Sequence, residues 1–419
     1  MDPAVLALIV LGVVVVLYVT EVIPLALTSI GGCIAMALLG IVSFSDAFSG
    51  FSNNVVLLIA GMMVVGSALF ETGAAENIGN RITTAARSSE KIILLMIMVV
   101  VGMLSAFLNN TATTAVFVTV VFGIVMNNKT RFKSARMLMP VAFAANAGGM
   151  LTLVGSTPTV IIQGVLTQSD YAPLGFFEFS KIGLPVLALV IVYMLTIGYK
   201  SLNSLKVEKK KTPWEIPNGN GPKKTHKMKT AVAIMLLCVV LFATEAIPTG
   251  LTAMVGAWLV LFTGCVRVKE TFEHFDWTTI FVLAGSLGIA RGLEVSGAGE
   301  LISDTVLGIG FADSPYIIFA ILVGIGGVLT QFMSNTATTA LLAPIALFIA
   351  QGMGVSPYPL MLGLCSMTAA AFASPVATPP NTMVLVGGYR FKDYLLVGGV
   401  LNLLVYIMVI SLVPIFWPF

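Results

Sequence analysis

Charge is scarce in this sequence: Lys, Arg, Asp and Glu together make up 10% of its 419 residues. Soluble domains carry about 25%, so little of this chain can form a water-facing shell. Histidine occurs twice and cysteine four times. Cys33, Cys238, Cys265 and Cys365 stand singly in apolar segments with no C-x-x-C spacing, which excludes a disulfide framework and leaves no zinc pattern. They read as small core residues. His226 and His274 both fall in loops, and no acidic pair accompanies the polar motifs of the apolar runs. A nucleophile with a base, or a metal cluster, therefore has no material, and an enzyme is not expected. There is no basic stripe interleaved with aromatics, which argues against a nucleic-acid partner.

What is abundant is apolar sequence. Hydrophobic residues make up 58% of the chain and the mean hydropathy is +1.00. The runs 4–19, 24–42, 55–70, 184–197, 228–243 and 397–416 have roughly the length that crosses a ~30 Å hydrocarbon core at 1.5 Å per residue. The expected class is an all-α polytopic membrane protein whose first partner is the lipid bilayer. Its first segment lacks a basic leader and a small-residue cleavage site, so we expect a mature helix rather than a signal peptide.

The sequence also repeats itself. Thr20-Glu21-Val22-Ile23-Pro24 returns as Thr244-Glu245-Ala246-Ile247-Pro248, an offset of 224, and Ala60-Gly61 returns as Ala284-Gly285 at the same offset. NNTATT at Asn109–Thr114 returns as SNTATT at Ser334–Thr339, an offset of 225. Val154–Thr159 parallels Val376–Asn381 at 222. We therefore expect one repeat in 1–199, a basic cytoplasmic linker in 200–229, and a second repeat in 230–419.

Each repeat reads as three spans, a paired apolar segment around NTATT, a segment interrupted by the second motif, and a last span. With the NTATT pair taken as a re-entrant hairpin, because its apolar arms flank a polar tip, each half crosses five times. An odd number inverts the second copy. The expectation is about ten transmembrane helices, two re-entrant hairpins and two broken helices. With both termini outside, Arg81, Arg87, Lys91, Lys129, Arg131, Lys133, Arg136, the 200–229 group, Arg267, Lys269, Arg390 and Lys392 fall inside, and only Lys181 and Arg291 do not. That agrees with the positive-inside rule for a multi-pass plasma (inner) membrane protein.

Non-helical backbone at membrane depth persists only where it is buried in protein or lines a polar cavity. Inverted repeats with interrupted helices are a recurrent build of secondary transporters, in which freed carbonyls and side-chain oxygens hold a cation and helix N-termini face an anion. The alternative is interhelical glue at about 0.6–2 kcal/mol per contact. Paired copies fit that poorly for Asn110 and Asn335. For Thr113, Thr114, Thr338 and Thr339 both readings stand, since their hydroxyls can bond their own helix carbonyls. Asn402, in the last span, serves as an ordinary interhelical Asn for comparison. Glu21 and Glu245 precede Ile-Pro at the end of a span and read as interfacial termini. Arg291 reads as the local partner of Glu294 at i+3. An ion channel is the remote alternative, because two hairpins around one site suit alternating access better than a ring of filter carbonyls.

TEVIP with TEAIP, NNTATT with SNTATT, and PVATPPN together resemble the divalent anion/sodium symporter family, which carries dicarboxylates, citrate and sulfate within the wider ion-transporter superfamily. The resemblance spans most of the chain. It implies a first sodium site from Ser105, Asn110 and Gly155 and a second from Thr330, Asn335 and Ala377. It implies substrate contacts from Asn109, Asn110, Thr111, Ser156, Ser334, Asn335, Thr336, Thr378 and Pro379. It further implies a homodimer with an elevator-type movement, co-transported sodium and no organic cofactor.

This sequence departs from the pattern twice: Asn109 stands where the family motif has Ser, and Thr159 stands where Asn381 closes the second copy. The expected function is sodium-coupled symport of a small divalent or trivalent anion, with a C4-dicarboxylate preferred. A sulfate or citrate carrier, or a sodium-independent exchanger, is the alternative.

Overall fold

The computed structural model describes residues 2–77, 89–127, 134–204, 224–273, 275–308 and 314–419. Arg81, Arg87, Lys129, Arg131, Lys133, residues 205–223 of the linker and His274 lie outside the described residues. All regular structure among the described residues is helical. Eight principal helices build the first half: α1 Pro3–Thr20, α2 Leu25–Leu38, α3 Asn54–Glu71, α4 Glu90–Ser105, α5 Asn110–Asn127, α6 Ser134–Gly148, α7 Thr157–Gln168 and α8 Ser180–Tyr193. Eight counterparts follow: α9 Met228–Thr244, α10 Thr249–Phe262, α11 Trp277–Val295, α12 Pro315–Leu329, α13 Asn335–Gly352, α14 Pro357–Ala369, α15 Pro379–Met383 and α16 Phe391–Phe416.

Among the described residues six helices are long and apolar enough to cross a membrane: Pro3–Thr20, Asn54–Glu71, Ser180–Asn203, Thr225–Thr244, Trp277–Val295 and Phe391–Phe416. Burial divides them. Only 28% of the Pro3–Thr20 window is inside the protein, against 72% of Trp277–Val295, so α1 turns Ile9, Val13 and Val16 outward while α11 runs through the core. An outward stripe of branched aliphatics without charge is the face that lipid covers.

Helix ends follow local chemistry. Asp2 caps α1 by accepting from the Ala4 N–H at 3.0 Å, and Pro3 fills the first position, where a missing donor costs nothing. Glu21 ends α1 and Glu245 ends α9 in the left-handed conformation, each at φ 49°. Both carboxylates are exposed, as expected of interfacial termini. The Arg291–Glu294 pair also forms, at 2.8 Å. All four cysteines are buried and free.

The halves interlock through small residues. A methyl group on Gly61 of α3 would come within 2.5 Å of the Ala253 backbone of α10, and one on Gly285 of α11 within 2.6 Å of Ser29 on α2. These contacts are related by the 224 offset. Gly32 lies against Ile289 and Val14, and Gly256 against Val65 and Cys238, again at that offset. Each half thus hands its third helix to the other half's second.

Polar contacts tie several helix ends together. Glu90, at the start of α4, pairs with Arg136 of α6 at 3.1 Å and accepts from Tyr199 Oη at 3.0 Å. Arg136 also bonds Asn203, beyond the C-terminal end of α8. Lys224 donates its backbone N–H to the Glu71 carbonyl at the end of α3. In α6 the Tyr389 hydroxyl replaces a rung of the ladder near Pro140: it accepts from the Met139 N–H at 3.0 Å and donates to the Ala135 carbonyl at 2.5 Å. A proline disturbs the preceding turn, and the tyrosine satisfies what is freed.

Candidate functional site

Each hairpin tip is a helix start with a capping side chain. Asn109 Oδ1 accepts from the Thr111 N–H at 2.8 Å, and Ser334 Oγ accepts from the Ala337 N–H at 3.2 Å. Asn and Ser are both strong N-caps, so the departure at Asn109 preserves the local structure. Asn109 is the more exposed of the two, and its amide N–H groups are left to the cavity it lines.

The two breaks are stapled in parallel ways. Between α6 and α7, Thr159 Oγ1 lies 2.8 Å from the Leu153 carbonyl and 2.5 Å from that of Ser156. Between α14 and α15, Asn381 Nδ2 donates to the Ala371 and Ser374 carbonyls at 2.7 and 2.8 Å. The second departure is therefore one of means, since both side chains satisfy carbonyls that the break frees. The N–H groups of the second break are met by Asn402 Oδ1 on Phe372, at 3.0 Å, and Gln331 Oε1 on Ala373, at 3.0 Å. Asn402 is thus not an ordinary interhelical Asn, as the sequence reading had it, but a support of the broken helix.

Behind each tip lies a nest of oxygens. In the first half a terminal atom of the Asn110 amide sits 2.5 Å from Ser105 Oγ, 3.0 Å from the Gly155 carbonyl oxygen and 3.3 Å from that of Ala145. Those carbonyls can only accept. The amide either turns its nitrogen to them or keeps its oxygen there with a cation among the four. A side chain on Gly149 would strike the Asn110 amide at 2.7 Å, which keeps the backbone close to this nest. In the second half Thr330 Oγ1 lies 2.8 Å from Asn335 Oδ1 and 2.9 Å from the Thr368 carbonyl. Ser105 and Thr330 are both fully buried. Neutral oxygens suit a hard alkali or alkaline-earth cation rather than a soft metal, and no cluster of three His, Cys, Asp or Glu exists among the described residues.

The four motifs meet in one cavity of about 1020 Å³. Asn109, Asn110 and Thr111 line it with Gly155 and Ser156 from the first half, and Ser334, Asn335 and Thr336 with Ala377, Thr378 and Pro379 from the second. Of the sodium and substrate residues implied by the resemblance, Ser105 and Thr330 are the two that are not on the wall. α5, α7, α13 and the short α15 all start here, so their N-terminal partial positive charges converge where an anion would sit. The cavity follows α3 from Ile59 to Glu71.

Sequence reasoning missed several participants. Lys224 and Arg267 line the cavity with Glu71, Glu76 and Asp276, although none of them neighbours a motif in the chain. Lys224 is partly committed, since Nζ donates to the Gly264 carbonyl at 3.0 Å. Asn146 also lines the wall and bonds across to the second half. A lone Asn within the apolar run of α6 was the available sign.

A family model described as "Citrate transporter" matches residues 15–365 and 311–419. An uncharacterized transporter of Haemophilus influenzae is 26% identical over 97% of this chain and 90% of its own. The sodium-dependent high-affinity dicarboxylate transporter 3 of Caenorhabditis elegans is 24% identical over 93% and 79%. The sodium-dependent dicarboxylate transporter SdcS of Staphylococcus saprophyticus is 24% identical over 94% and 83%. Among solved structures, the YdaH transporter of Alcanivorax borkumensis, described as having an unusual topology, superposes with a TM-score of 0.66 at 13% identity, covering 100% of this chain and 99% of that one. That likeness speaks for the fold alone. The matched family is one of membrane transporters rather than enzymes, and a cavity at which polar motifs from two interrupted, related halves meet is what such a protein needs: the chain belongs to the citrate transporter family.

Proposed function

We propose that this protein is a sodium-coupled symporter of a small divalent or trivalent anion, with a C4-dicarboxylate preferred. The observation that carries the reading is the Asn110 nest, where Ser105 Oγ and the Gly155 and Ala145 carbonyls crowd one amide terminus. Its counterpart is at Thr330 and Asn335. Sodium occupies the first site through Ser105, Asn110 and Gly155, and the second through Thr330, Asn335 and Ala377. The substrate lies between, against Asn109, Asn110, Thr111 and Ser156 on one side and Ser334, Asn335, Thr336, Thr378 and Pro379 on the other. Lys224 and Arg267 lie elsewhere on the cavity wall, and no Lys, Arg or His occurs in 104–114, 148–160, 330–339 or 370–381, so at the motifs themselves bound cations and helix N-termini balance the anion's charge. A sodium-independent exchanger would be expected to carry a fixed positive side chain there. The relatives named as sodium-dependent dicarboxylate transporters support both the ion and the substrate class. Citrate or sulfate is the second choice, citrate because the family model carries that description.

The two halves are inverted repeats, 1–199 and 230–419, around the 200–229 linker, with termini outside and linker inside. A hairpin returns the chain to the same face whether it crosses fully or turns back, so basic residues fix the face and not the depth. Depth is supported by the polar tips instead, which meet the helix breaks at one cavity. The transport unit is a homodimer in which the hairpins and breaks move as a body. The test is uptake of labelled succinate, citrate and sulfate into vesicles holding purified protein, in sodium or choline buffer. Stimulation by external sodium, with a Hill coefficient above one, is expected. Full counterflow in choline with no stimulation by sodium would instead identify an exchanger or a proton-coupled carrier.

A further inference from the structure

We propose that Asn146 is a positioning residue that fixes the Thr378 hydroxyl as a hydrogen-bond donor to the transported anion. The inference rests on the substrate lying at Thr378, as argued above. Asn146 stands near the end of α6 in the first half, 1% exposed, and ties the two motif regions together. Its Nδ2 lies 3.2 Å from Thr378 Oγ1 and 3.1 Å from Asn381 Oδ1.

The direction of every bond in this chain of groups is determined. The Ala371 and Ser374 carbonyls can only accept, so Asn381 must turn Nδ2 toward them. Its Oδ1 then faces Asn146. An amide oxygen can only accept, so Asn146 must present Nδ2. The same nitrogen reaches Thr378 Oγ1, which therefore accepts. A hydroxyl that accepts still has its own proton to place, and among the described residues Thr378 Oγ1 has no acceptor. Thr378 is 4% exposed and lines the cavity. Its proton is directed at whatever occupies that space, and an ionised carboxylate or other oxyanion is the ligand that takes it. Two carbonyls freed by the helix break thus set, through two amides, the polarity of one hydroxyl in the substrate site. The first half has nothing equivalent at Ser156, whose Oγ faces Thr159 Oγ1 at 3.3 Å. Among the described residues, the second-half side of the site alone has its donor imposed from across the molecule.

A double-mutant cycle in vesicles tests this, using whichever of succinate, citrate or sulfate the unsubstituted protein takes up. N146A should raise the apparent KM roughly tenfold, with maximal rate within about twofold and half-saturating sodium unchanged. T378A should do the same, and N146A/T378A should be no worse than T378A, because Asn146 acts through that hydroxyl. N146D should raise KM further, since a carboxylate turns the Thr378 proton toward itself and adds a like charge. Multiplying effects in the double variant, or a fall in maximal rate at constant KM, would overturn the proposal. Should N146A not purify as monodisperse protein, N146S keeps a donor and is expected to raise KM about threefold, with the same cycle and the same overturning result. Absence of uptake of all three anions by the unsubstituted protein would remove the substrate reading itself, and with it the proposal.

Discussion

The two hairpins share five of six motif residues, yet their threonines have opposite fates. In the second, Thr338 Oγ1 donates to the Ser334 carbonyl at 3.0 Å, and Thr339 Oγ1 lies 2.8 Å from both the Asn335 carbonyl and Thr368 Oγ1. In the first, the Thr113 and Thr114 hydroxyls are buried without a partner among the described residues. The surroundings differ in the same sense. The cavity runs along α3 and α5 and touches Ala115, Val116 and Thr119. Their counterparts Ala340, Leu341 and Pro344 border a void of only about 10 Å³, with Ser286 and Ile289 of α11. Related segments therefore occupy two environments in one molecule, one opened beside the site and one packed shut. The lesson is that motif identity sets the ligand oxygens, while packing around the motif sets which side is accessible. A protein whose halves exchange these environments would open its site to each face in turn.

The comparison is most directly broken at the asparagines. Asn110→Ala and Asn335→Ala should each weaken sodium-dependent uptake by about 1.5–3 kcal/mol, roughly 10–100-fold in sodium affinity, as each removes a ligand to a charge. Sodium titrations of uptake measure this. One variant behaving as the unsubstituted protein would mean that the two nests are not equivalent sites. Next in size is accessibility: a cysteine at Val116 should react with a water-soluble maleimide at least roughly tenfold faster than one at its counterpart Leu341, since thiol reactivity follows exposure. Equal rates would show that the cavity does not distinguish the halves. Asn402→Ala leaves the Phe372 N–H unmet and should destabilise the protein by about 1–3 kcal/mol, read as a lowered thermal midpoint in detergent. The smallest effect sharpens the contrast: Thr339→Val should cost about 1 kcal/mol, whereas Thr114→Val, which removes a hydroxyl with no partner, should be neutral or slightly stabilising. Matching losses at both positions would mean that Thr114 has a partner of its own.

How much of this was legible in the chain depended on the range of the cause. The long helices, the helix ends at Glu21 and Glu245, and the Arg291–Glu294 pair follow from residues within a few positions of one another, and all were legible; the left-handed backbone at the two glutamates was not. The motifs were visible because polar clusters in apolar runs are costly and therefore conspicuous. What escaped were groups recruited by the fold from elsewhere. Asn402 meets an N–H 30 positions away, Tyr389 repairs a helix more than 200 residues earlier, and Lys224 and Arg267 reach the cavity wall from the ends of other helices. Their side chains carry no local sign of the partner. The departures at Asn109 and Thr159 could be weighed only once their bonds were seen, since an N-cap and a hydroxyl staple do the work of the residues they replace.

The glycine contacts between the halves also govern how such a chain is born. α3 rests on α10, nearly two hundred residues later, and α11 returns to α2. Until the second half is synthesised, Ser29 on α2 and Gly61 on α3 lack the helices that pack closest against them. Folding cannot finish half by half, and contacts of this sequence separation are slow to close. The first half on its own is then expected to be a target for membrane quality control. Two fragments divided in the linker and expressed together should still find each other, because the seam that joins them is packing, not chain continuity.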